Sequence, residues 1–309
     1  MIQRLRCWRR FLSQRAGGAV CWGLFFFLRI IGLQGSRRLL GSLTQKLGPL
    51  ISKNRIADKN IQRAFPQLTP QERQSLLKKM WQHLGWVTAE HAHLEKLNIG
   101  DEGTITIQGQ EYLKQIKEDG KPALIFSAHL SNWALIPLSL AKEHVPISQV
   151  YRAINNPIVD RLMRKLYQLH PFHLYKTFSL IPKGPQGGRL SVLSLKQGQH
   201  MILLIDQKMN EGISVPFFGT PAMTASGLAR LAEKFQCPVV PVRVERTSPD
   251  TFTVTFYKPF TYQHGSGEAG HIHFMEEVHG YLEDWIRARP EQWFWVHNRW
   301  PDEKRSDKP

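Results

Sequence analysis

Cysteine is scarce and scattered in this sequence: Cys7, Cys21 and Cys237 stand alone, without a CxxC pair. That excludes a zinc ribbon or a disulfide scaffold and points to a reducing compartment. Acid is nearly missing from the start of the chain. Up to Lys59 the only acidic residue is Asp58, whereas Arg4, Arg6, Arg9, Arg10, Arg15, Arg29, Arg37, Arg38, Lys46, Lys53 and Arg55 are all basic. Over the whole chain 41 Lys and Arg face 25 Asp and Glu, a formal charge of +16. Such a charge favours an anionic partner. No nucleic-acid-binding motif accompanies it, which sets nucleic acid aside in favour of an anionic lipid or an acidic carrier protein. There is no GxSxG elbow for a serine acyl-enzyme. The pairs His91/His93 and His271/His273 lack an acidic or cysteine partner at ligand spacing, so neither a metal nor another cofactor is expected. No A-x-A-like cleavage site follows the basic start, which argues against a cleaved signal peptide.

One long apolar run is present. Ala16 to Leu33 reads AGGAVCWGLFFFLRIIGL, near the lower length limit for a spanning helix and interrupted by Arg29. Basic residues flank both ends and so do not orient it, but five arginines in the first fifteen residues resist translocation and favour a helix embedded in, or inserted from, the cytosolic face; a single span and a buried core helix are the alternatives. Residues 36–102 then show helical periods. Thr69-Pro70-Gln71-Glu72 has the form of a helix cap, and Leu76, Leu77, Met80, Trp81, Leu84 and Val87 follow on one apolar face. From Gly103 strands and helices alternate. Strands are expected at 104–107, 123–128, 147–152, 179–181, 201–205, 239–244 and 252–257, and helices at 132–142, 157–169, 188–195, 225–235 and 271–287. This pattern predicts an α/β fold: a mixed, mostly parallel sheet with helices on both faces. The expected divisions are a membrane-associated helix (1–35), a helical region (36–102), the α/β domain (103–301) and a disordered tail (302–309).

The stretch with the most chemistry is Ala123 to Trp133, ALIFSAHLSNW. Its apolar half suits a buried parallel strand. His129 follows, then Ser131, a residue type that commonly caps a helix. An imidazole at the carboxyl end of such a strand lies where open α/β sheets bind ligands. Its ordinary pKa near neutrality suits a general base acting on a hydroxyl. Amides of the following helix start could receive a developing oxyanion.

Beyond that residue-level reading, SAHLSNWA resembles the HxxxxD/E signature of glycerolipid acyltransferases. It is closest to the HxGNWE form of the bacterial lipid A late (lauroyl/myristoyl) acyltransferases. The likeness continues through NIQRAFPQLTPQER, VYRAINNPIVD, LLIDQKMNEGISVPFFGTPAMTASGLARLA, PVVPVRVER and RPEQWFWVHNRW. It implies transfer of a fatty acyl chain from an acyl carrier protein or coenzyme A thioester to the hydroxyl of a 3-hydroxyacyl chain on a lipid A precursor. It also implies residence at the cytosolic face of the bacterial inner membrane, and catalysis by His129 without an acyl-enzyme.

One position departs from the family pattern. Ala134 stands where the acidic residue is expected, a carboxylate that would orient the histidine and, at N3 of a helix capped by Ser131, complete a capping box. Three readings follow: an engineered inactive variant, a natural loss of activity, or replacement of the charge by Asp206 from a neighbouring strand end. The first is favoured because every other motif is intact, so impaired activity is the expectation.

The remaining site residues follow from the same motifs. Asp206 ends the run MILLID and is expected near the histidine, paired with an arginine. Arg152 is expected to hold a phosphate or the oxyanion, with Asn156 and Asp160 fixing its loop; the alternative for Asp160 is local pairing on the helix begun by Pro157. Arg164 stands near Tyr167, where the family often carries an arginine. Asn132 and Trp133 belong to the motif loop. Lys208 suits a phosphate or the carrier. Phe217, Phe218 and Gly219 form an apolar loop that either lines an acyl channel or packs in the core, and Thr224 is a candidate N-cap. Arg243, Arg246, Arg299 and Trp300 suit either an anionic headgroup or solvated surface pairs.

Overall fold

The computed structural model describes residues 2–100, 103–154, 156–168 and 178–300. The expected tail, 302–309, lies outside them. The chain begins with a long helical run, α1 (Ile2–Leu47), broken at Gly32 by a φ of 73° that glycine adopts without steric cost. Within Gly17–Leu50 an apolar window has mean hydropathy 1.5 and is long enough to cross a membrane; 11% of it is buried in protein. Val20, Phe26 and Ile30 are exposed there, so this is not a core helix. Arg29, the charge that interrupts the run, is met by the folded chain: it donates to the Ala92 carbonyl at 2.9 Å and pairs with Glu95 at 2.9 Å.

Two further helices complete the helical region, α2 (Ser52–Ala64) and α3 (Pro70–His91). The cap of α3 forms as its sequence predicts. Thr69 Oγ1 accepts the Glu72 amide, and the Glu72 carboxylate accepts the Thr69 amide at 2.8 Å. The second limb of α1 packs along α3, leaving Leu39, Leu43 and Leu47 exposed on its other side.

The α/β region is a sheet of seven strands in the order β1-β9-β8-β2-β5-β3-β4. These are β1 (Ile105–Gln108), β2 (Leu124–Ser127), β3 (Ile147–Tyr151), β4 (Phe178–Pro182), β5 (His200–Leu204), β8 (Val239–Arg246) and β9 (Phe252–Phe256). Strands β8, β2, β5, β3 and β4 are mutually parallel; β9 and β1 run the other way. Alternate residues of β2 enter different cores. Leu124 and Phe126 pack with α8 (Gly227–Phe235) and α9 (Glu268–Ala288), while Ile125, and Ala123 just before the strand, pack with α4 (Gln110–Glu118) and α5 (Leu135–Lys142). Both faces of the sheet are therefore covered, and its central strands read as continuous apolar runs for that reason. Helices α6 (Pro157–Gln168) and α7 (Pro185–Lys196) flank β4 in the chain.

Three elements differ from the expectation. Helix α4 is extra; only Leu113 and Ile116 of its nine residues are buried, too few for its period to stand out. The segment 208–224 is not a loop but a separate two-stranded ribbon, β6 (Lys208–Phe217) and β7 (Thr220–Thr224). Pro216 fits because it lies opposite Pro221 in that ribbon rather than in the main sheet. Phe218 and Gly219 make its turn with φ of 50° and 70°, the geometry of a tight hairpin. Third, α5 begins at Leu135, not at residue 132, because Ser131 takes a left-handed φ of 51° and so cannot be its N-cap.

Candidate active site

Strands β2 and β5 are neighbours in register, so the residues that follow them meet at one edge of the sheet. His129 follows β2 and Asp206 follows β5. His129 Nδ1 and Asp206 Oδ1 are 2.8 Å apart. The second carboxylate oxygen, Oδ2, accepts the main-chain amide of His129 at 3.0 Å and the indole N–H of Trp293 at 2.8 Å. Asp206 is buried at 2% exposure, whereas the imidazole keeps 18%. Burial alone raises the Asp206 pKa, but the His129 ring and the three hydrogen bonds outweigh it and bring it down to about 2. The carboxylate is thus ionised at neutral pH and holds the ring with Nδ1–H toward itself. That leaves Nε2 as the proton acceptor, 3.3 Å from the Gln207 side-chain amide.

The loop carrying His129 is clamped by the closing segment. Phe294 N donates to the His129 carbonyl at 3.1 Å, Ser131 N donates to the Gln292 carbonyl at 2.9 Å, and Leu130 bridges Trp293. Around the imidazole stand Trp133, with ring centroids 5.0 Å apart, and Phe294 at 6.2 Å. The closing segment is in turn tied to α2, since Asn60 donates to the carbonyls of Trp295 and His297. His297 accepts the Lys208 amide at 3.1 Å; burial is the main reason its pKa falls to about 4, so it is neutral.

A partly open imidazole whose Nδ1 is held by a buried carboxylate is an arrangement able to activate a hydroxyl. The sequence profile of the bacterial lipid A biosynthesis acyltransferases matches residues 9–302. The chain belongs to that family. It is 24% identical over 292 residues to a lipid A biosynthesis acyltransferase of Haemophilus influenzae, an alignment spanning 89% of this chain and 86% of that protein. Among solved structures, the 1-acyl-sn-glycerophosphate acyltransferase PlsC of Thermotoga maritima aligns with 82% of this chain and 98% of its own, at 17% identity and a TM-score of 0.37.

In this acyltransferase the residues expected at the site separate into three groups. His129, Asp206 and Trp133 come together. Asp206 is held by His129 and Trp293 rather than by an arginine. Asn132 is fully buried and turned inward: its amide donates to Glu90 at 3.0 Å and its Oδ1 accepts the Ala134 amide at 3.3 Å. Ala134 is the N-cap residue of α5, not N3, and is buried within the α4–α5 apolar core. The amides that open α5 are already taken, Leu135 N by the Asn132 carbonyl and Ile136 N by that of Trp133. They are therefore not available to an oxyanion.

The second group gathers beyond β3. Arg152 is exposed just after that strand, on the same sheet edge as His129. Asp160 pairs locally: it accepts the Ile154 amide at 2.9 Å, bonds Arg164 at 2.9 Å and receives the Tyr151 hydroxyl, which also bonds Arg164. Asn156 caps α6 through the amides of Ile158 and Val159.

The third group serves the ribbon. Phe217 is buried against Trp300, Trp293 and His279, and the Phe218 amide is pinned to Glu283 at 2.6 Å. The core role of this segment is thus realised. Thr224 lies in β7 and accepts Arg299 Nη2 at 2.7 Å, so it is not an N-cap; Ser226 occupies that place. Arg246, Arg299 and Trp300 are buried, not surface residues awaiting a headgroup. Burial pulls Arg299 down to about 10 against the opposing pull of Asp206.

Gln207, Gln292, Trp293, Phe294 and Glu90 were not singled out by sequence reasoning. The first four lie inside the strings DQ and PEQWFW that carry the family likeness, which was the available signal. Glu90, on an amphipathic helix, gave none.

Proposed function

We propose that this acyltransferase moves a fatty acyl chain from an acyl carrier protein or coenzyme A thioester to the hydroxyl of a 3-hydroxyacyl chain of a lipid A precursor. His129 Nε2 takes the hydroxyl proton, and the oxygen attacks the thioester carbonyl. The carbon–sulfur bond breaks, and the leaving thiolate takes the proton back from the imidazolium. Asp206 orients the ring and stabilises its charge. Arg152, with Lys208 nearby in the chain after Asp206, faces the anionic groups of donor and acceptor.

The observation that carries this reading is the 2.8 Å pair of His129 Nδ1 and Asp206 Oδ1 beneath a partly exposed ring. The same pair favours a competent enzyme over one silenced at Ala134, since Asp206, just after β5, can take the part of the carboxylate expected from position 134. The exposed apolar side chains of α1 and its basic flanks support residence at the cytosolic face of the inner membrane.

The test is an assay of the full chain in detergent micelles, with tetra- and penta-acylated lipid A precursors and carrier-protein or coenzyme A thioesters of several lengths. Mass spectrometry should show one added acyl chain, and His129→Ala should abolish it. Transfer that survives in His129→Ala would end the proposal. An acceptor that binds but never gains a chain would favour a catalytically inactive lipid-binding homologue. Extension of a lysophospholipid instead would redirect the acceptor class.

A further inference from the structure

Glu90 sits on the last turn of α3, outside the α/β region, and is fully buried. Its carboxylate receives three donors from three parts of the chain. Arg37 Nε of α1 lies at 2.8 Å, Arg246 Nη2 of β8 at 2.7 Å, and Asn132 Nδ2 of the motif loop at 3.0 Å. A buried carboxylate with two guanidinium groups is a costly arrangement that apolar side chains of like volume could replace, so a role in specifying one geometry is the natural reason for it.

The geometry it specifies is a closed circuit around Ser131. Asn132 ties one side of Ser131 to Glu90. On the other side the Ser131 amide donates to the Gln292 carbonyl at 2.9 Å. The side chain of Gln292 clamps Arg246 in both directions, accepting its amide at 2.9 Å and donating to its carbonyl at 2.9 Å. Arg246 then returns to Glu90. Ser131 has a φ of 51°, in the left-handed region that disfavours a residue with a side chain, and its buried hydroxyl has no hydrogen-bond partner among the described residues. The conformation is therefore imposed by the circuit and not by Ser131 itself. His129 stands two residues upstream, and its own amide must reach Asp206.

We infer that Glu90 is a positioning residue of this acyltransferase: through Asn132 it holds the loop that aims His129 at Asp206. The inference rests on His129 being the base. Through Arg37 it also fastens the first helix to that loop, so the helical region takes part in building the site.

The experiment compares kcat and both KM values for Asn132→Ala, Asn132→Ser and Glu90→Gln with those of the parent enzyme and His129→Ala, all in the full chain well below each melting temperature. Asn132→Ala leaves Glu90 with both arginines, so the fold should hold while kcat falls at least tenfold and both KM values stay within about twofold. Asn132→Ser keeps an acceptor for the Ala134 amide but is too short for Glu90; it should lose kcat as the alanine variant does. Glu90→Gln should lower kcat and Tm together, and adding Asn132→Ala to it should cost little further kcat. A kcat within twofold of the parent in Asn132→Ala or Asn132→Ser, with His129→Ala inactive, would overturn the positioning role while leaving His129 as the base. Activity in His129→Ala would instead remove the reading beneath it. If Glu90→Gln fails to fold, the two Asn132 variants decide the matter.

Discussion

Asp206 holds His129 twice, by its ring at Nδ1 and by its main-chain amide, one carboxylate oxygen for each. The two residues follow adjacent parallel strands, so the sheet itself sets their separation. Asp206→Asn keeps the shape of the side chain and removes its charge. An amide can donate to Nδ1, which favours the tautomer with Nε2 protonated and unable to act as base. We expect kcat to fall by about 10²–10⁴-fold, the range for disabling a base–orienter pair. KM should change little. Steady-state kinetics at saturating donor would check this, and an Asp206→Asn enzyme within threefold of the parent would show that Asp206 is not the orienter.

Ala134→Glu tests the same relationship from the other side. A glutamate at this position would place a carboxylate in a fully buried pocket of Leu, Ile and Val side chains around α5. An unpaired buried charge costs several kcal/mol. We expect Tm to fall by about 5–15 °C and turnover to rise no more than about threefold, since His129 already has its carboxylate. A tenfold gain would mean that the parent is impaired and that Asp206 serves another purpose.

These two residues also mark what could be read from the chain alone. His129 and Asp206 each end a largely apolar run, and a strand end is legible because burial on both faces keeps charged residues out until the strand stops. The capping box of Thr69 and Glu72 was legible for a similar reason, being local. Ser131 was not. A serine before a helix is usually a cap, and here its amide is held by Gln292 and its neighbour Asn132 by Glu90, both distant in sequence, with the serine in the left-handed region. Thr224 misled in the same way, because its partner Arg299 lies 75 residues away. Glu90 was invisible: a lone carboxylate on an amphipathic helix reads as solvated until the fold brings two arginines to it.

Stability should depend on pH through buried histidines. Burial, and then Arg299, lower the pKa of His279 to about 3, while the unfolded chain keeps the ordinary value near 6.5. Between these values the unfolded state binds the proton and the folded state does not, so stability rises with pH. The contribution is complete above about pH 6.5 and shrinks below it, by about 1.4 kcal/mol per pH unit for this one group. His297, lowered to about 4 but partly open to solvent, adds a smaller slope of the same sign. Asp206 joins only between its ordinary value and about pH 2. Melting curves from pH 8 to pH 4 should be flat at first and then fall steadily below about 6.5. A Tm constant from pH 7 to pH 5 would contradict the neutral, buried state of His279.

The two limbs of α1 should differ in how they meet a bilayer. In the first, Phe26 is 66% exposed and Ile30 69%, and the window around them is almost unburied by the folded chain. Replacing both with glutamate changes their membrane transfer by about 3 kcal/mol each, on the scale for charged against apolar residues in a bilayer helix. Together that is about a 10⁴-fold loss of partition, enough to release the protein from vesicles. Neither side chain belongs to a buried cluster, so Tm should not move. In the second limb Leu43 and Leu47 are half-exposed, and the exposed cation Lys46 lies beside Leu43, one turn away on the helix. Glutamates there should weaken binding only at low salt and only to anionic vesicles, the behaviour of a helix lying on a charged surface. Flotation with phosphatidylglycerol and phosphatidylcholine vesicles at two salt concentrations separates the outcomes. Full release by the Leu43 and Leu47 pair, with retention by the Phe26 and Ile30 pair, would place the anchor after Gly32 instead of before it.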